Sequence, residues 1–203
     1  MAEKFGVPYF RRYDGYNSYV DVPLAILPNA DRVLRAVDKV AGRTVRVQSV
    51  LEVGAATGRV LQQFERRGYR TLGVEISSWA RERALPGAQI LWGPWLKVSH
   101  YLGDESFDLV LDSTAEYEPN RTVGRSLAEL WRATRVVLAV EHSDADDCHD
   151  KNIVYRQPES WKKLLGRLQP SPKHVSLVKF NHRCTQRGVT WVLSRWFWFC
   201  YRR

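Results

Sequence analysis

Apolar positions along this chain switch repeatedly between runs suited to strands and spacings suited to helices. Residues 49–53 form a short apolar run. In 57–67, Val60, Leu61 and Phe64 fall on one helical face, and Gly68 ends the segment. Residues 71–76 read as a strand, with Ser77 or Ser78 capping a short helix that runs to 84. A third strand follows at 89–92, and a fourth at 107–112 with Val110 and Leu111 inside. A helix at 121–134 leads into a nearly all-apolar strand at 135–140. Pro158 occupies a favoured first-turn position of a helix carrying Trp161, Leu164, Leu165 and Leu168. Ahead of all this, residues 28–31 open a helix with Val33, Leu34, Val37 and Val40, stopped by Gly42. Residues 1–28 are irregular and rich in Tyr, Pro and Gly. Two late strands, 175–180 and 190–199, flank a loop containing Gly188.

Strands alternating with helices predict an α/β fold in three layers: a mostly parallel sheet with right-handed crossovers and helices on both faces. The last two strands have no helix between them, which predicts an antiparallel pair at the C-terminal edge. The chain has 203 residues, room for one well-cored domain. It divides into an N-terminal extension, 1–27, and a domain spanning 28–203.

Charge adds an asymmetry. Of the net +9, the segment 151–203 contributes 12 Lys and Arg against one acid, while 1–150 holds 19 basic and 21 acidic residues. A basic region of this kind either solvates an edge or attracts an anionic partner such as nucleic acid. Three cysteines without CxxC spacing argue against a disulfide framework and for a reducing compartment. No apolar run approaches the ~20 residues of a membrane helix, and no leader-like pattern opens the chain. The expectation is a cytoplasmic protein without a membrane partner.

In folds of this class ligands bind where the parallel strands end. The first strand runs into Leu51-Glu52-Val53-Gly54-Ala55-Ala56-Thr57-Gly58, where Gly54 permits a sharp turn and close backbone approach. Glu75 lies 21 residues after Gly54, at the end of the second strand, where an acid hydrogen-bonds the hydroxyls of a ribose. The pattern is not G-x-G-x-x-G, since position 56 is Ala. This disfavours a nicotinamide oxidoreductase. E-x-G-x-x-x-G over 52–58 resembles the first motif of class I S-adenosylmethionine-dependent methyltransferases, a Rossmann-like family. Glu75 resembles the family's acidic second motif. Gly93-Pro94 stands where the family contacts adenine, and Phe107-Asp108-Leu109-Val110-Leu111-Asp112 resembles its fourth-strand motif.

The resemblance extends over residues 28–199. It implies S-adenosylmethionine as cofactor, held by Glu52, Gly54, Ala55, Ala56, Thr57, Gly58, Glu75, Ile76, Trp92, Gly93, Asp112 and Ser113. The family's acid after the third strand is missing here; Trp92 or Trp95 either stacks on the purine in its place or packs in the core. In related enzymes the segment before the first helix folds over the cofactor. Residues 1–27, with Tyr9, Phe10, Arg11, Arg12, Tyr13, Tyr16 and Tyr19, form such a lid or pack on the surface.

Methyl transfer asks mainly for alignment of acceptor and methyl group; a base is needed only when the acceptor must lose a proton. Asp112, Glu116, Tyr117, Glu141 and His142 follow the fourth and fifth strands, and the catalytic candidates are His142, Glu116 and Asp112. Asp144, Asp146, Asp147, Cys148, His149 and Asp150 form either a solvated acidic loop or oxygen ligands for Mg²⁺. The Asp-Asn pair of metal-dependent relatives is missing and no zinc spacing occurs, so no metal is expected. Asp112-Ser113-Thr114-Ala115 differs from the Pro-Pro-Tyr motif that grips an amino group on adenine. No Pro-Cys pair marks a cytosine enzyme, and no ribose 2′-O set is complete. The leading expectation is methylation of a small-molecule or protein acceptor. RNA or DNA methylation through the basic region 151–203, and a non-catalytic Rossmann-like subunit, are the alternatives. The aromatic run 196–199 is expected to place half its rings in the core and half on an edge available for a homodimer.

Overall fold

The computed structural model describes residues 5–11, 19, 27–142, 153–186 and 189–202. Seven strands form one sheet in the order β3-β2-β1-β4-β5-β7-β6. Chain order is α1 (Val7–Arg11), α2 (Ala30–Ala41), β1 (Ser49–Val53), α3 (Arg59–Glu65), β2 (Arg70–Glu75), α4 (Ser78–Glu82) and β3 (Ile90–Trp92). Then come α5 (Trp95–Val98), β4 (Phe107–Asp112), α6 (Asn120–Ala133), β5 (Thr134–His142), α7 (Pro158–Leu165), β6 (His174–Gln186) and β7 (Val189–Tyr201). The first five strands pair in parallel, and β7 pairs antiparallel with both β5 and β6. The expected three-layer α/β fold with its antiparallel edge is therefore present.

Each sheet face has its own core. On one, Val50, Leu109, Leu111, Ala139, Phe197 and Phe199 meet Val33 and Val37 of α2 and Phe64 of α3. On the other, Leu51, Val110, Leu138 and Trp198 meet Leu127, Leu130 and Trp131 of α6 and Trp161 of α7. The central strands β1 and β4 are covered on both sides, which is why they read as continuous apolar runs. At their amino ends, Asp108 Oδ2 accepts from the backbone N–H groups of Gln48 (2.9 Å) and Ser49 (3.1 Å) and from Ser49 Oγ (3.0 Å). Arg135 pairs with its other oxygen at 2.7 Å.

Several boundaries differ from the sequence expectation. Helix α3 begins at Arg59 rather than 57, because Gly58 sits at φ +84°, outside helical space. Two 3₁₀ turns, Ser99–Tyr101 and Ala115–Tyr117, and the one-turn helix α5 were too short to leave a periodic signal. Strand β5 continues to His142, so Glu141 and His142 belong to the strand itself. Strands β6 and β7 have 13 residues each. Past the His142–Trp196 pair they continue alone to Gln186 and Val189, a two-stranded ribbon extending roughly 20 Å beyond the end of β5 at ~3.3 Å per residue. The expectation that half the 196–199 rings lie on an edge is corrected. Because β6 lies outside β7, Phe197, Trp198 and Phe199 are all buried, on alternating faces of an interior strand.

Candidate functional site

Where β1 ends, the chain must turn sharply and still satisfy its backbone donors. Gly54 adopts φ +86°, and the N–H groups of Gly54 and Ala55 both donate to the Val74 carbonyl, at 2.9 and 3.1 Å. A Cβ at Gly54 would meet Thr114 Cγ2 at 2.7 Å. Ala56 lies at φ +47°, costly for a residue with a side chain, and its N–H donates to Glu75 Oε2 at 2.8 Å. The other oxygen of Glu75 accepts from the N–H groups of Ile76 (2.7 Å) and Ser77 (2.8 Å). Glu75 thus clamps the first turn to the end of β2. Burial raises its pKa, against the pull of those three N–H bonds. Gly58 completes the turn, where a Cβ would collide with Ala88 Cβ at 2.8 Å.

Glu52 is the electrostatic centre of this region. It is buried in β1 on the α2–α3 side, its Oε2 has no hydrogen-bond partner, and the nearby Thr57 Oγ1 has none either. Burial, reinforced by Glu75 and Glu141, pushes the Glu52 carboxyl up to about 8, with only the Leu61 amide opposing. Glu141, two positions beyond Ala139 on the same face of β5, is itself paired with Arg195 of β7. A buried carboxylic acid with an unused oxygen, beside a turn crowded against Thr114, suits a ligand that brings a cationic group and hydrogen-bond donors.

The remaining candidates divide. Asp112 is wholly buried, and its oxygens accept from Thr114 N (3.2 Å), Thr114 Oγ1 (2.6 Å) and Ala115 N (2.9 Å). It shapes the Ala115–Tyr117 turn, and burial still pushes its pKa up to about 6. Ser113 N–H donates to the Val53 carbonyl (3.0 Å), beside Gly54. Gly93 N–H donates to the Glu75 carbonyl (2.8 Å), so the ends of β2 and β3 are held together. Trp92 is half-buried with the Arg81 guanidinium 6.0 Å from its ring centroid. Trp95 is a core residue whose Nε1–H donates to the Ser126 carbonyl at 3.2 Å. Glu116 is buried on the 3₁₀ turn. His142, also buried, faces the α7 side with its ring 5.9 Å from Trp161. The acidic residues 144–150 lie outside the described residues, and among the described residues no cluster of three potential ligands could hold a metal.

The N-terminal aromatics span the strand ends. Ser77, after β2, donates its hydroxyl to the Phe5 carbonyl at 2.5 Å, and Phe10 stacks on Trp79 of α4 at 4.4 Å. On the other side Tyr9 Oη lies 3.0 Å from Tyr117 Oη, after β4, and Phe5 meets the Tyr117 ring edge-on. Arg59 of α3 donates to the Tyr19 carbonyl at 2.8 Å. The segment therefore bridges the ends of β2 and β4. Tyr117 was among the candidates read from sequence; Thr114 and Arg195 were not. Arg195 left one signal, a charge beside an aromatic strand.

A family model described as "Methyltransferase domain" matches residues 25–137. No curated protein shows a significant sequence match to the chain. Among solved structures, an S-adenosylmethionine-dependent methyltransferase from Archaeoglobus fulgidus aligns with TM-score 0.66 and 14% identity, over 85% of this chain and 92% of its own. The magnesium protoporphyrin IX methyltransferase of Synechocystis PCC 6803 with bound S-adenosylhomocysteine aligns with TM-score 0.64 and 14% identity, over 100% and 98%. A 1,6-didemethyltoxoflavin-N1-methyltransferase from Burkholderia thailandensis aligns with TM-score 0.56 and 20% identity, over 95% and 84%. Among the described residues no helix is long and apolar enough to cross a membrane.

Proposed function

The chain belongs to the methyltransferase domain family and is an S-adenosylmethionine-dependent enzyme, and we propose that its acceptor is a small molecule held beyond the carboxyl ends of β4 and β5. The observation behind this reading is the Gly54–Gly58 turn clamped by Glu75 beside the unpartnered oxygen of Glu52. The residues fit the cofactor: Gly54, Ala55, Ala56, Thr57 and Gly58 supply a close backbone approach, and Glu52 offers an acid to a cationic group. Glu75 and Ile76 would hold the ribose, Trp92 and Gly93 the purine, and Asp112 and Ser113 would close the wall. When bound, the cofactor supplies an already activated methyl group.

The chain's own task is then to orient the acceptor and exclude water. The N-terminal extension, residues 1–27, whose described residues 5–11 bridge the ends of β2 and β4, serves as the lid. Asp112 has both oxygens engaged in shaping its turn, so proton removal falls to Glu116 or His142 where an acceptor requires it. The relatives act largely on small molecules by their names, which favours a small acceptor over a protein side chain.

Calorimetric titration tests the reading. S-adenosylmethionine and S-adenosylhomocysteine should bind at micromolar concentrations, NAD⁺ should not, and Glu75→Ala should abolish binding. Failure of both nucleosides to bind the wild-type protein would overturn it. The 12 basic residues against one acid in 151–203 favour a second reading, an RNA acceptor; its affinity would fall steeply with salt. The outer edge of β6 is the place for a homodimer contact, checked by sedimentation.

A further inference from the structure

Helices α6 and α7 both begin on the side of the sheet where β4 and β5 end, and an open-mouthed cavity of about 500 Å³ runs from the first turn of α6 along α7 to Arg167. Its walls include three basic side chains, Arg156, Lys163 and Arg167, with Asn120 and Ser160 as polar neutral groups. Among the described residues no acid lines it. The carboxylate of Glu118 accepts from Thr122 Oγ1 at 2.6 Å and Ser126 Oγ at 3.5 Å, and its charge also acts on Arg156.

Arg156 anchors the cavity. It is 6% exposed. Its Nε–H donates to Asn120 Oδ1 (3.1 Å), Nη1 to the carbonyls of Ala115 (3.3 Å) and Val154 (3.2 Å), and Nη2 to the carbonyl of Glu118. Four of its five N–H groups are thus spoken for by neutral acceptors, which fix the guanidinium plane. The positive charge itself is met by no hydrogen-bonded carboxylate. Burial lowers the Arg156 pKa, and the charge of Glu118 opposes that shift only in part. Neither flanking helix has a side-chain cap; α6 has no acid in its first turn, so its N-terminal dipole adds to the positive field, whereas Glu159 offsets that of α7. Burying a cation on neutral partners is unfavourable until an anion arrives.

We propose that this cavity binds an oxyanion, a phosphate or carboxylate group, of the methyl acceptor. The inference rests on the methyltransferase reading and deepens it by naming the acceptor class as a small anionic molecule. Arg156 connects the two places: it donates to Ala115 in the turn that carries Glu116 and Tyr117, while the Val154 N–H donates to the Glu116 carbonyl at 2.7 Å. An acceptor held here by its anionic end would extend from the α6–α7 mouth toward the strand ends. Lys163 on α7 and Arg167 just after it are exposed and act as the outer, replaceable contacts.

The test is an NMR titration of the full chain with inorganic phosphate, acetate and a single-stranded RNA oligomer, beside a Lys163→Glu/Arg167→Glu variant. Both exchanged side chains are exposed, so folding is retained, checked by unchanged S-adenosylmethionine affinity. The expected result is saturable binding of phosphate or acetate, with shifts at the amides of Asn120, Gln157 and Ser160, weakened at least tenfold in the variant. The stronger of the two ligands identifies the group. Equal binding by both proteins, or binding of the RNA oligomer alone, overturns the proposal. Phosphate binding without any S-adenosylmethionine binding would uphold the cavity and sink the methyltransferase site instead.

Discussion

Asp108 and Glu52 are buried acids on adjacent central strands, one near the amino end of the sheet and the other near the carboxyl end. Asp108 accepts from two backbone N–H groups and a hydroxyl and pairs with Arg135. Glu52 keeps an oxygen without a partner and is pushed up to about 8. Burial is common to both; the difference is what surrounds the carboxyl group. Where the fold alone is at stake, the charge is met inside the chain. Where a ligand is to be met, the chain leaves the acid unsatisfied and tolerates the cost.

The largest expected effect separates the two acids by readout. Asp108→Ala strands the Gln48 and Ser49 donors and leaves Arg135 without its acid. Because Arg135 is about a third exposed, solvent screens part of the loss, and the expected destabilisation is about 3 kcal/mol. For a chain of this size that is a fall of roughly 6–12 °C in Tm, read by calorimetry. S-adenosylmethionine affinity of the folded protein should be unchanged. A loss of affinity at full stability would erase the comparison.

Glu52→Gln should do the reverse. With the folded pKa raised from 4.5 to about 8, the folded protein holds a proton that the unfolded chain releases between those values. Its stability therefore falls as pH rises through that window. The amide cannot ionise, so the variant should lose this slope and be the more stable protein at pH 8, by up to a few kcal/mol. Its S-adenosylmethionine affinity should drop at least tenfold and lose the tightening with rising pH that wild type shows as Glu52 ionises against a cation. Denaturant melts and calorimetry at pH 5 and pH 8 check both halves. A steep slope surviving in the variant would move the titration to another group.

Gly54→Ala sharpens the same contrast by geometry. The residue sits at φ +86° and an added Cβ would lie 2.7 Å from Thr114 Cγ2. The left-handed backbone costs roughly 1–2 kcal/mol, and the displaced Thr114 closes the approach to the turn. A stability loss of that size with a roughly tenfold fall in cofactor affinity is expected. Gly87, also left-handed but with nothing within 4 Å of an added Cβ, is the control. Gly87→Ala should cost stability alone.

Much of this was legible in the sequence because it is local. The alternation of periods marked the strands, and the 52–58 spacing with Glu75 marked the turn that is clamped to the end of β2. What stayed hidden depends on contacts between distant positions. Asp112 reads as a candidate base by its place after an apolar strand, yet its oxygens serve Thr114 and Ala115. Trp92 and Trp95 are equivalent in sequence, but Trp95 is buried in one core and tied to Ser126, whereas Trp92 is half-buried against the other. Arg156 has no local signature: three of its four acceptors, Ala115, Glu118 and Asn120, lie on a distant segment brought to it only by folding. The aromatic run 196–199 was misassigned because alternation distinguishes two faces of a strand, whereas the position of β6 decides whether either face is exposed.

The smallest effect tests the coverage of the site by the N-terminal segment. Tyr9 and Tyr117 share a hydroxyl contact of 3.0 Å, while the Tyr9 ring also meets Phe5 and Phe10 edge-on. Tyr9→Phe keeps those ring contacts and removes only the hydroxyl, a loss of about 1 kcal/mol. The bridge links the short N-terminal segment to the turn after β4, away from the sheet interior, so the loss should appear in opening of the segment rather than in global unfolding. S-adenosylhomocysteine should then dissociate about fivefold faster in stopped-flow measurements, with Tm nearly unchanged. Tyr117→Phe should give the same increase, and the double variant no more than either alone, since both remove one interaction. An unchanged dissociation rate in all three would mean that the segment packs beside the site without covering it, and the aromatic bridge would then belong with Asp108 among the groups that serve the fold alone.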